Sequence, residues 1–194
     1  MRKSSIKRDT KETQIRLKLD IDGQGISKIK TGIGFFDHML TLFSKHSLID
    51  LEVVANGDLE VDYHHTVEDV GIVLGQALKE AIGDKRGIQR YGWAYLPMDE
   101  TLTRAVVDLS NRFYLEFRVP AERRKAGDFP LQLLEEFFRA VAVNAGMNLH
   151  MELLYGRDSH HIAESLFKGF AKALDMACRR DPRVKGLPST KGKL

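Results

Sequence analysis

Cysteine is nearly absent: Cys178 is the only one in 194 residues. No intrachain disulfide can form, and thiolate metal sites and iron–sulfur clusters are excluded. Cys178 falls in the last apolar-periodic segment and reads as a small core residue. No stretch approaches the roughly 18 apolar residues of a membrane span, and Met1-Arg2-Lys3 leads into polar residues without the apolar segment of a secretion signal. These absences point to a soluble protein of a reducing compartment, the cytoplasm, with no membrane partner. Excess charge of one sign is missing too. A net charge of +3 is too small to argue for nucleic acid. Charge gathers only in the Pro- and Gly-bearing tail from Arg179 to Leu194, mobile by composition. That tail reads either as a nucleic-acid arm or as a lid whose Ser and Lys close over a phosphate, and charge alone does not choose.

What the chain has instead is histidine in a repeated frame. Asp62-Tyr63-His64-His65-Thr66-Val67-Glu68 returns 96 residues later as Asp158-Ser159-His160-His161-Ile162-Ala163-Glu164, and these copies hold four of the seven histidines. Each runs into an apolar-periodic segment, so each Glu sits near a helix start, one turn beyond the imidazoles. Positions i and i+4, or i+1 and i+4, can share an ion. Neighbouring helical positions diverge by about 100°, so adjacent His serve two ions better than one. The economical arrangement is a pair of ions between the repeats. The bland alternative is two solvated helix starts that happen to contain His.

From Ser4 to Asp20 the chain is polar at first and then alternates through Ile15, Leu17 and Leu19, a strand with one buried face. Asp22-Gly23 forms a turn, and Ile26 to Ile29 is expected to return as its partner strand. Thr31 to Leu40 moves from a glycine-bearing turn into a helix ending near His46, followed by a strand from Leu48 to Val54 and a turn at Asn56-Gly57. After the first motif, Val70, Val73, Leu74, Ala77, Leu78 and Ala81 form an apolar stripe. Gly83-Asp84-Lys85-Arg86-Gly87 is a charged loop and divides halves 1–86 and 87–180, with 181–194 as the basic tail, all in one compact unit. Beyond it come a short strand at Arg90-Tyr91-Gly92, an alternating strand to Ser110, and a partner strand from Asn111 to about Pro120.

Laying the second half on the first extends the repeat. Glu12-Thr13 matches Glu100-Thr101, with Asp20 and Asp108 eight residues after each Glu. Phe129 to Asn144 matches the first-half helix, which sets His38 opposite Glu136 and sets His150 opposite Glu52, a strand position without chemistry. The repeat therefore nominates His38 and Glu136 as remaining ligands and demotes His46 and His150. The candidate set is His38, His64, His65, Glu68, Glu136, His160, His161 and Glu164, four to each ion. A six-coordinate cation would keep open positions for substrate. Imidazole with carboxylate suits Mn, Fe, Zn or Ni.

With GIGFFDHML (32–40), DYHHTVEDVGIVLGQAL (62–78), RYG (90–92), PMDE (97–100), DLSNR (108–112), EEFFRA (135–140), HHIAESLFKGFAKAL (160–174), DPR (181–183) and PSTKG (188–192), the chain resembles the imidazoleglycerol-phosphate dehydratases over nearly its whole length. The resemblance implies an α+β fold of two similar halves, each a four-stranded sheet backed by two helices. It implies a manganese-dependent lyase with two Mn2+ per site, a phosphorylated imidazole substrate, and an octahedral homo-oligomeric 24-mer with sites at subunit interfaces. It supports the eight ligands, and at position 136 the family uses His or Glu. It assigns the phosphate to Arg90, Arg112, Lys168, Ser189 and Lys191, groups suited to charge-assisted hydrogen bonding. Glu12 matches a substrate-contacting Glu.

The C–H bond that must break has no carbonyl beside it, so the imidazole ring has to drive loss of the hydroxyl. Glu12 is the candidate to act as acid and then base, with Asp99 and Glu100 as alternatives. Two other functions fit the same residue types. A dinuclear metallohydrolase would activate water, and a non-catalytic metal- or nucleic-acid-binding protein would use the clusters for storage and the tail as an arm.

Overall fold

Alternation of period two is strongest in Thr13–Asp20 and Thr101–Asp108, and these become the second strand of each half. The computed structural model describes residues 2–121 and 124–194. The first half runs β1 (Lys3–Asp9), β2 (Thr13–Asp20), β3 (Ser27–Lys30), α1 (Gly34–Ser47), β4 (Asp50–Gly57) and α2 (His64–Ile82). The second repeats that order as β5 (Tyr91–Met98), β6 (Thr101–Asp108), β7 (Tyr114–Arg118), α3 (Leu133–Ala145), β10 (Asn148–Tyr155) and α4 (Ser159–Cys178), with a hairpin of β8 (Lys125–Ala126) and β9 (Phe129–Pro130) inserted before α3. Sheet order is β1-β2-β4-β3 in one half and β5-β6-β10-β7 in the other. The fold is α+β, two halves of one topology, each a four-stranded sheet backed by two helices.

Several local expectations change. Asn56 and Gly57, expected as a turn, are the last residues of β4, and the short strand expected at 90–92 begins at Tyr91 and runs to Met98 as β5. Residues 26–29 and the segment opening at Asn111 form strands, but not as hairpin partners of the strands before them: β3 lies parallel to β4, and β7 parallel to β10. A parallel pair requires a crossover, and α1 and α3 provide it. A short apolar run specifies a strand without specifying its neighbour. Residues 4–20 are two strands, not a polar lead into one. The inner side of β1 is Ser4, Ile6 and Arg8, too polar to alternate, and Ser4 is buried by donating from Oγ to Ala77 O at 2.9 Å. The helix expected from Phe129 begins at Leu133, because Phe129–Pro130 pairs with β8. The tail packs against the body: Gly87 N donates to Gly186 O at 3.0 Å and Arg90 Nη1 to Pro188 O at 2.8 Å.

The helices of the two halves pack on each other, α2 against α3 and α1 against α4. Gly71 and Gly75, one turn apart on α2, permit the first contact, since a Cβ at Gly75 would lie 2.7 Å from Val141 O. Aromatic rings fill the seam, with Phe36 against Phe137 at 5.3 Å and Phe43 against Phe170 at 5.5 Å between centroids. Burying each such ring contributes roughly 1.5–3 kcal/mol. Cys178 is buried in α4, and burial pushes its thiol up to about 12. Among the described residues no helix is long and apolar enough to cross a membrane. The pairing of α1 with α4 matters most for the site, because it carries a first-half histidine to the second-half motif.

Candidate metal and substrate site

Both motif aspartates do the work expected of a short carboxylate at a helix start. Asp158 caps α4 by accepting from His160 N at 2.8 Å and His161 N at 3.0 Å, and Asp62 accepts from His64 N at 2.7 Å. The paired rings stand apart with their planes near perpendicular, their centroids 6.4 Å apart for His160 and His161 and 6.2 Å apart for His64 and His65. In each copy the first His faces the Glu one turn on: His160 Nε2 is 3.4 Å from Glu164 Oε2, and His64 Nε2 is 3.8 Å from Glu68 Oε2.

His38 on α1 joins the second copy. Ligand atoms of His38, His160 and Glu164 lie within 4.8 Å of one another, the one such group of three among the described residues. Glu164 is buried, which opposes its ionisation. The Lys168 hydrogen bond at 2.7 Å and the Lys168, His160 and His38 charges outweigh that and hold its carboxyl below its ordinary range. Phe35 packs edge-on against His160 at 5.4 Å, beside a cavity of about 500 Å³ that Tyr63, Asp128 and Phe129 also line. Glu136 sits on α3 at the place of His38 on α1, and α3 packs on α2 as α1 packs on α4, but Glu136, His64 and Glu68 do not gather into such a group. The two motif copies do not converge on each other within one chain either. His46 and His150 stay outside the cluster, His150 on the outer face of its sheet.

The second His of each pair is anchored by a carboxylate, and the two halves use different ones. His161 Nδ1 lies 2.7 Å from Glu100 Oε2. Glu100 also accepts from Asp158 N at 2.8 Å and Arg157 N at 3.1 Å; the Asp158 amide, then His161 and the Arg157 amide, hold its carboxyl well below the usual range. His65 Nδ1 instead faces Asp58 Oδ2 at 2.9 Å, and Asp58 raises its pKa as Glu100 raises that of His161. Glu12, the repeat equivalent of Glu100, is thereby released. It sits in the β1–β2 turn with its amide donating to Thr10 Oγ1 at 3.1 Å, and its carboxylate lies 4.0 Å from His65 Nε2. Asp99 holds the matching place, 3.9 Å from His161 Nε2. Asp58 is the residue that sequence reading missed. It lies just past the end of β4 and shares no motif with His65, so only the fold reveals the contact.

Four of the five residues assigned to phosphate, Arg90, Arg112, Ser189 and Lys191, line one cavity of about 520 Å³. Arg90 also braces that cavity: its Nε and Nη2 donate to Asp108 at 2.7 and 3.1 Å, and its Nη1 holds the tail at Pro188. The fifth, Lys168, lies elsewhere, on Glu164. The equivalent place in the first half has opposite chemistry. There Arg2 is bound by Asp22, and Asp50 accepts from Gln24 N and Ile26 N, both at 2.8 Å. In the second half Ser110 and Asn148 stand where those carboxylates stand, and Arg112 replaces Gln24. Two carboxylates of the first half are thus matched by neutral side chains and a glutamine by an arginine, so the second-half loop is the more positive of the two.

The imidazoleglycerol-phosphate dehydratase family model matches residues 31–174. An imidazoleglycerol-phosphate dehydratase of Akkermansia muciniphila is 62% identical, with 100% of each chain covered. That of Geobacter metallireducens is 56% identical over 100% of this chain and 99% of its own. Among solved structures, the imidazoleglycerol-phosphate dehydratase of Staphylococcus aureus superposes with a TM-score of 0.84 at 45% identity, over 92% of this chain and 99% of that one. The enzyme of Pyrococcus furiosus, solved in complex with (S)-C348, also gives 0.84, at 38% identity over 97% of this chain and 100% of that one. A family model that spans most of the chain, together with relatives this similar over full length, means that the chain belongs to the imidazoleglycerol-phosphate dehydratase family.

Proposed function

We propose that the chain dehydrates imidazoleglycerol phosphate to imidazole acetol phosphate with a pair of manganese ions held by His38, His64, His65, Glu68, Glu136, His160, His161 and Glu164. Membership of the family makes it a hydro-lyase of histidine biosynthesis; the geometry supports a part for each residue. The observation that carries the reading is the gathering of His38, His160 and Glu164 from two helices of different halves. Imidazole and carboxylate donors without thiolate fit manganese. His65 and His161, anchored through Nδ1, present Nε2 as the ligand atom. When bound, the ions supply positive charge that favours the electron-rich, deprotonated form of the substrate ring.

Glu12 handles the protons. It gives one to the departing hydroxyl, which leaves as water, and takes one from the neighbouring carbon, so that the resulting enol becomes the ketone. Its release from the anchoring duty that Glu100 performs supports this part, as does its place beside His65. Arg90, Arg112, Ser189 and Lys191 hold the phosphate, with Lys168 from a neighbouring copy.

Glu136 and Lys168 stand apart from the groups they would serve. That supports a homo-oligomer in which neighbouring copies complete each site, the octahedral 24-mer that the family resemblance implies. The single buried cysteine fits the cytoplasm. Assay of ketone formation with and without manganese, after exhaustive chelation, tests the metal. Turnover that survives removal of all divalent ions overturns it, and light scattering that finds only monomers overturns the shared site.

A further inference from the structure

Among the described residues Lys85 is the only buried lysine, 2% exposed, and it lies in the left-handed region with φ +60°. Its Nζ donates to Asn111 Oδ1 at 2.7 Å. An amide oxygen brings no countercharge, so the fold keeps a positive charge inside without neutralising it, which is costly. The charged and titratable groups around it are Lys79, Arg90, Asp108 and Cys178. Asp108 is already shared by two nitrogens of Arg90, and the Cys178 thiol stays neutral.

Asn111 is held from two more sides. It has φ +59°, and its Cα lies 3.3 Å from where a Cβ on Gly146 would stand. The next residue is pinned by Asn148, whose Nδ2 donates to Arg112 O at 2.6 Å. The first half needs none of this: the equivalent residue is Gly23, where a Cβ would lie 2.5 Å from Asp50 Cγ. Where the first half has glycine, Asn111 carries a side chain, and Lys85 holds it.

We propose that Lys85 is a positioning residue of the anion pocket: its buried ammonium fixes Asn111, sets the 110–112 turn that presents Ser110 and Arg112, and adds a positive charge behind the pocket wall. The inference rests on reading that pocket as the phosphate site. A bound phosphate dianion then becomes the countercharge that the protein itself withholds from Lys85. Burial brings the Lys85 ammonium down to about 8, so its contribution fades in mild alkali.

The test uses the assembled, manganese-loaded enzyme, with inorganic phosphate as the probe. Lys85→Met and Asn111→Gly, which keeps the positive φ without strain, should each raise the phosphate Ki and the substrate KM about tenfold, with kcat within about twofold. The double variant should be no worse than either single one. The wild-type Ki should climb above pH 8 more steeply than that of Lys85→Met. Arg112→Met is the control for the pocket. A Ki that moves in Arg112→Met but in neither Lys85→Met nor Asn111→Gly overturns the role of Lys85 alone. A Ki unmoved in all three overturns the phosphate reading and this inference with it. Should Lys85→Met fail to fold, Asn111→Gly decides by the same comparison, and a loss confined to kcat counts against the proposal.

Discussion

Asp58 and His65 face each other at 2.9 Å, in the relation that Glu100 and His161 have at 2.7 Å in the other half. The repeat equivalent of Glu100 is Glu12, so the two halves anchor the imidazole with residues at different repeat positions, and Glu12 lies beside the imidazole without anchoring it. Each of these histidines thus has one carboxylate at Nδ1 and a second near Nε2, Glu12 for His65 and Asp99 for His161.

Glu12 defines the first prediction. Glu12→Gln should lower kcat by about 10²–10⁴-fold, the range of a lost general acid–base. Bound manganese and melting temperature should stay as in the parent. Steady-state kinetics with metal analysis checks this, and an unimpaired rate removes Glu12 from the chemistry.

The anchors themselves should act on metal affinity. Asp58→Asn and Glu100→Gln take the charged partner from an imidazole that in the proposed site presents Nε2 to the metal, and each should weaken manganese binding roughly 10–100-fold. Titration of the metal-free protein, followed by calorimetry, reads this without reference to turnover. Affinities equal to the parent value would mean that the two imidazoles need no orienting.

Lys85 sets a pH dependence of stability. Its folded pKa is about 8 against an ordinary 10.5. Between those values the unfolded chain keeps a proton that the folded chain has lost, so this group makes stability rise with pH across that window and leaves it flat below. The stability difference between parent and Lys85→Met, measured by urea unfolding from pH 7 to 10.5, should therefore drift in favour of the parent as pH rises. No drift would mean that the buried amine is not desolvated.

At Gly75 two physical effects have opposite signs. Helix propensity alone favours Gly75→Ala by about 1 kcal/mol. The added Cβ would meet Val141 O at 2.7 Å and Asn144 Cβ at 2.7 Å, and overpacking of a tight seam costs about 1–3 kcal/mol. Packing should win, with a lower melting temperature for Gly75→Ala. A rise would show that the α2–α3 contact relaxes freely.

Some of this was legible in the chain. The seven-residue frame and its return, the strand at Ile15, Leu17 and Leu19, the equivalence of Glu12 with Glu100 and of His38 with Glu136 all follow from periodicity and spacing, which are local properties of residue order. The polar face of β1 hid a strand, because Ser4 and Arg8 find partners, Ala77 O and Asp69, that lie far along the chain. The start of α3 was hidden by the β8–β9 hairpin, an insertion that the first half lacks.

The sequence by itself determined which residue types recur and at what spacing, and so the repeat, the helix starts that carry histidine, and the candidate donors. Only the tertiary structure decided who meets whom. It set β4 between β2 and β3, brought His38 to His160 and Glu164 through the packing of α1 on α4, gave His65 to Asp58, and set a buried lysine against Asn111. Spacing along a chain constrains neighbours within a turn of helix or across a pleat, while contacts between elements are chosen by which apolar faces close on each other, and that choice is made by the whole core at once.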